Sequence, residues 1–146
     1  MKKKLSLLNN LKKDSVVLGI SSTANELLFC KLLRNEMGID LQVSEYISIE
    51  IIKNKEVSYP IYSYTNPENM ILFELITNKT SKGYVIDFLQ NINFFLRCTS
   101  EYIEQEIPEI IEQISNTESV MFVQAVGKGK YTARQRVILR KLFPFI

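Results

Sequence analysis

Between Val57 and Phe95 the chain runs in short aromatic and β-branched stretches: Val57–Tyr64, Met70–Thr77 and Gly83–Ile86. Asn66-Pro67 and Lys82-Gly83 part them. Such runs, punctuated by turn formers, are the pattern of antiparallel strands. A meander of this kind cannot bury its apolar face alone, so the flanking segments must cover it.

Those segments alternate strand and helix signals. Val16–Ile20 is an apolar run fit for a buried strand. Thr23 followed three residues later by Glu26 is a capping-box spacing, and Leu28, Phe29, Leu32, Leu33 and Met37 continue it as one helical face. Gly38 supplies the stop, since glycine takes positive φ without strain. From Val43 to Ile51 the apolar residues Val43, Ile47, Ile49 and Ile51 alternate with Ser44, Ser48 and Glu50, a strand with one wet face, and Asn54-Lys55 turns the chain. Pro60 has no N–H for a ladder, so the strand carrying Tyr59, Tyr62 and Tyr64 reads as an edge or a bulged strand. Asn93–Thr99 is a further strand with Phe94 and Leu96 on one side and Phe95 and Arg97 on the other.

Ser100 is placed to cap a helix whose first turn is acidic, with Glu101 and Glu104, and Pro108 is expected to kink or divide it. Val120–Val126 reads as the last strand, broken by Gly127-Lys128-Gly129. Thr132 and Gln135 then open a basic helix ending near Leu142. The fold class is therefore α+β: an antiparallel or mixed sheet of five to six strands with helices mainly on one side. Residues 1–13 form a basic segment or short helix around Leu5, Leu8 and Leu11, 14–127 a single domain, and 128–146 a basic helix and tail.

The 146 residues suffice for a core without disulfides or metal. Apolar runs such as Met70–Phe73 fall short of the roughly 18 residues of a membrane helix. The opening Met1-Lys2-Lys3-Lys4-Leu5 imitates a signal peptide only until Asn9-Asn10, so a cytoplasmic location is expected. Cys30 and Cys98 lack paired spacing and read as small buried apolar residues.

A second relation lies in the motifs. Ile86-Asp87-Phe88, three further residues, then Ile92-Asn93-Phe94 lead into a strand. In that spacing the chain from Leu18 to about Val126 resembles the bacterial IPExxxVDY family, known mainly from Bacteroidota. Ile92, Asn93 and Phe94 stand for its Val, Asp and Tyr, whereas Asp87 and Phe88 depart from its Pro and Glu. The segments Asn35–Leu41, Ile61–Tyr64 and Thr77–Tyr84 are similar too, and the likeness stops before Lys128. The family carries no assigned activity, so the resemblance supports the fold and supplies no catalytic residue or cofactor.

Histidine is absent, which removes the usual general base and the commonest zinc ligand. Glu101/Glu104 and Glu109/Glu112 stand at helical spacing, as on a solvated face. Gly127-Lys128-Gly129-Lys130 lacks the spacing of a phosphate loop. No catalytic, metal or cofactor residue is expected, and an enzyme is the less favoured class.

Charge is uneven. Of eighteen Lys and Arg, five lie in 1–13 and six in 128–146, leaving seven against all sixteen acids in the body between. Lys128, Lys130, Arg134, Arg136, Arg140 and Lys141 are the candidate contacts for an anionic partner. The other reading docks this helix on the protein itself, with Val137, Ile138, Leu142 and Phe143 in the core. Three functions follow. The first is a non-enzymatic protein-interaction domain or homo-oligomer using Tyr59, Tyr62 and Tyr64. The second is an RNA-associated protein binding phosphates through its basic ends. The third is a small-ligand-binding regulatory domain.

Overall fold

Strands whose alternate residues are apolar on both sides demand cover on both faces, and the chain supplies it. The computed structural model describes residues 14–52, 55–80 and 83–144. The helix expected over 4–13 lies outside them, as do Asn54 and Lys82 of two expected turns and the side chains of Ile47, Ile49 and Ile51.

The elements follow in the order β1 (Asp14–Ser22), α1 (Glu26–Met37), β2 (Gln42–Ile52), β3 (Lys55–Thr65), β4 (Leu72–Thr77), the short hairpin β5 (Lys79–Thr80) and β6 (Gly83–Tyr84), β7 (Phe94–Ser100), α2 (Ile103–Ser115), β8 (Val120–Ala125) and α3 (Ala133–Leu142). Six strands form an antiparallel sheet in the order β2-β3-β4-β7-β1-β8. The fold is α+β.

Leu18 and Ile20 of β1, Phe73 and Leu75 of β4, and Phe94, Leu96 and Cys98 of β7 face one core, closed by Phe29 and Leu33 of α1 and by α2. Val17, Ile61, Ile76 and Phe95 face a second core, closed by Ile86, Leu89 and Ile92 of the segment before β7 and by α3. Each fully buried side chain of this size contributes about 1.5–3 kcal/mol.

Helix ends show which local signals prevail. Asn25, not Thr23, caps α1, its side chain accepting from the Leu28 amide at 2.9 Å. Gly38 ends α1 at φ 72°, its amide donating to the Arg34 carbonyl at 2.9 Å. Ser100 remains in β7, and α2 begins after Tyr102 without a side-chain cap. The helix is continuous through Pro108, because Ile103, Ile107, Ile110 and Ile114 bury one stripe on the first core. Thr132 and Gln135 form the expected reciprocal box.

β3 corrects the edge reading of Pro60, while the bulged alternative is met by an irregularity in its pairing with β2. The strand is internal, between β2 and β4. Pairing with β4 starts at Ile61, so the missing N–H falls just outside that ladder, and β2 carries a bulge between Val43 and Glu45 opposite. Val43, expected on the apolar face, is exposed.

Asn78 organises the way out of β4. It is wholly buried, and its amide nitrogen lies 2.8 Å from the Ile92 carbonyl, 3.0 Å from that of Leu89 and 3.4 Å from that of Ile86. Its oxygen accepts from the Ile86 amide at 2.7 Å. One side chain thus holds the motif-like segment against the second core.

Candidate functional site

The face of the sheet that carries α1 and α2 is not covered to its end. Alternation carries Ser58 and Pro60 of β3, Thr77 of β4, Phe94 of β7 and Ser22 of β1 onto that face, and Thr77 stands directly opposite Phe94. They form a row across neighbouring strands. α1 starts only at Glu26, while the β2–β3 hairpin runs beyond the last residue of β4. Between these two projections lies a cleft of about 890 Å³, walled by Thr23–Glu26 on one side and Ser58–Pro60 on the other, with Lys79, Thr80, Asn93 and Met121 completing it. That volume lies within the range of small-molecule sites, ~300–1,000 Å³.

Its polar atoms divide into two groups. The Ser22 hydroxyl is used, 2.8 Å from that of Ser119 and accepting from the Ala24 amide. The Asn93 side-chain oxygen accepts from the Ser22 amide at 2.8 Å. These contacts fix the β1–α1 turn. In contrast, Glu26 Oε1 and Thr77 Oγ1 are buried with no hydrogen-bond partner among the described residues. Thr77 is only 8% exposed. The Tyr59 hydroxyl shares this state, although alternation directs that ring to the second core. A buried polar group without a partner costs about 1–3 kcal/mol, so two along one cleft are a feature that folding alone does not favour.

Charge is arranged across the cleft. Burial, followed by the neighbouring Glu26 carboxylate, pushes the Tyr62 phenol above its ordinary range. Lys79 is exposed and makes no ion pair among the described residues. One carboxylate and one ammonium therefore border the same space. The thiols add no reactive group to it: burial pushes Cys98 up to about 12, and burial with the Glu26 charge pushes Cys30 up to about 11. Both thiols are protonated at neutral pH, which denies them nucleophilic character.

The expected contact edge is not assembled. Tyr59 and Tyr62 are buried and Tyr64 is half-buried against the first core, because β4 pairs along the flank expected to be free. Burial pushes the Tyr59 phenol up to about 12, with Arg97 opposing. Arg97 itself is held by Glu74 through two 2.8 Å contacts.

The basic candidates lie on and before α3, which packs on the protein through Leu139, Leu142 and Phe143. Phe143 meets Phe95 edge-on at 5.3 Å. Of the four apolar residues expected inside, Val137 is exposed and Ile138 half-buried. Lys128, Lys130, Arg134, Arg140 and Lys141 are exposed, and Arg136 lies over the Tyr131 ring at 5.9 Å. Among the described residues no cluster of acids and cysteines has the makings of a metal site, and no helix is long and apolar enough to cross a membrane.

Compared with known families and with curated proteins, the chain matches neither a family model nor a curated sequence. The cleft thus rests on its own geometry. In the sequence Glu26 reads as part of a helix cap and Thr77 as a strand residue. The usable signal was Pro60, which marks where β3 leaves its neighbour.

Proposed function

We propose that the protein is a cytoplasmic small-ligand-binding domain whose site is the cleft between the start of α1 and the β2–β3 hairpin. One observation carries this reading: Glu26 Oε1 and Thr77 Oγ1 are buried along the same cleft without partners. Both oxygens lie just beneath the cleft surface, so a ligand seated there recovers hydrogen bonds that the fold leaves unmade once either side chain turns outward. Kinship with the IPExxxVDY family belongs to the same proposal and assigns no chemistry of its own. The test is a thermal-shift screen of polar metabolites on the full chain and on Thr77→Val. Compounds that raise the melting temperature of the parent but not of the variant support the reading. A screen in which every stabilising compound acts equally on both contradicts it.

A second reading, protein binding or self-association, is favoured by β8. It is a terminal strand of the sheet, and Met121 and Phe122 on it are 64% and 39% exposed. Exposed edges of this kind pair with other strands. Light scattering on the parent and on Phe122→Lys separates the two: an oligomer lost in the variant supports it, and a monomer at millimolar concentration rejects it.

A further inference from the structure

β8 is the last strand of the sheet, next to β1, and no strand among the described residues lies along its outer side. From Val120 to Gly127 the chain has no charged residue and no proline, two devices that keep edge strands from pairing. Its ladder with β1 is regular from Phe122 to Ala125, and the one irregularity falls opposite Ser21 and Ser22, at the start of the strand. Met121 borders the cleft, Phe122 points to the other face, and both are exposed. Charge stands only beyond the strand: Glu118 precedes it, Lys128 and Lys130 follow it, and all three are exposed. Two copies of one strand related by a two-fold axis run antiparallel, so the acidic start of each meets the basic end of the other. With that axis normal to the sheet at Val123, Met121 lies opposite Ala125 of the second copy and Phe122 opposite its Gln124. Glu118 then falls level with Lys128 at both ends. Large exposed side chains meet smaller ones and opposite charges meet, so the strand is its own complement.

We infer that β8 pairs antiparallel with β8 of a second copy about a two-fold axis at Val123, joining the two sheets into one. This rests on the self-association reading of β8 and is independent of the ligand-binding reading of the cleft. The new ladder gives protein partners to backbone groups that the edge leaves to water, and it covers the outer sides of Met121 and Phe122. Each copy supplies one short strand, so the contact is small and the dimer forms at high protein concentration. The end charges fix the pairing at one register, because a strand without them can slip.

The test is sedimentation velocity of the full chain over a range of concentrations at low salt, where exposed charge pairs are least screened. The parent is compared with Glu118→Lys, with Lys128→Glu and with the variant carrying both. Both positions are exposed, so the variants keep the fold. Each single reversal sets like charges together twice in the dimer, and its dissociation constant should rise at least about fivefold. The double variant restores opposite charges and should return to within about twofold of the parent. A dimer whose affinity is unmoved by both single reversals, or weakened further in the double variant, overturns the two-fold pairing and leaves self-association through β8 to the Phe122→Lys comparison. A parent that stays monomeric at millimolar concentration overturns the inference and the self-association reading together.

Discussion

Replacing Thr77 by valine removes one hydroxyl and puts a methyl group of nearly the same shape in its place. In most strands that change forfeits a hydrogen bond. Here Thr77 Oγ1 has no partner among the described residues and the residue is buried opposite Phe94. An unpaired buried hydroxyl costs about 1–3 kcal/mol, and apolar replacement of the same shape relieves it. Valine also fits a pleated strand at least as well as threonine. The ligand-free variant should therefore gain about 1–2 kcal/mol, which for a chain of this length raises the melting temperature by about 3–6 °C. Urea unfolding followed by circular dichroism gives the free energy directly. Thr99→Val is the control: its hydroxyl lies 2.7 Å from that of Ser15, so the same chemical change should lose about 0.5–1.5 kcal/mol. Opposite signs at the two threonines are the expected result. Equal losses would refute the reasoning, since Thr77 would then be as well satisfied as Thr99 and the cleft an ordinary part of the core.

Three further outcomes follow from the packing. Asn78→Ala should lose about 2–4 kcal/mol in urea unfolding, because the Ile92 carbonyl and the Ile86 amide lose their partner in the interior, whereas the Ile86 and Leu89 carbonyls keep a backbone donor; a loss below 1 kcal/mol would contradict the role given to this residue. Gly19→Ala places a methyl group 2.5 Å from Ile92 Cδ1 and should lose about 1–3 kcal/mol, with Ile92→Val recovering part of it in a double-mutant cycle; strict additivity would contradict the contact. Cys98 is raised from 9.0 to about 12 and Tyr59 from 10.0 to about 12, so the unfolded chain gives up these protons first as pH rises. Stability is then full below pH 9 and falls through pH 9–12. Cys98→Ala should flatten that alkaline limb in thermal scans, and an unchanged limb would contradict the assignment.

Much of the framework is local and was legible. Gly38 can stop a helix whatever surrounds it, and Thr132 with Gln135 caps α3 through two bonds internal to the turn. Phe94 and Phe95 separate onto two faces because a strand has period two. Asn25 displaced Thr23 as a cap, a shift of two residues that both sequences of bonds allow. What could not be read is whatever depends on distant partners. Tyr59 and Tyr62 stand in a stretch that looks like an edge until β4 pairs beside it. The cleft draws on residues from Ser22 to Met121, and the missing partners of Glu26 and Thr77 are a property of the assembled sheet. No periodicity encodes an absent hydrogen bond. Pro60 and the end of β4 at Thr77 become meaningful together only once the strand order is known.

The central claim is that a small polar ligand occupies the cleft, and amide NMR on the labelled full chain tests it most directly. Titration with the compound that most stabilises the protein should move the amides of residues 22–26, 58–59, 77–80 and 93–94, and leave α3 and the outer half of β8 in place. In Thr77→Val the same titration should produce no saturable shift. Saturable shifts confined to α3 and the basic turn before it, with the cleft amides unmoved, would contradict the account and transfer the site to the basic helix.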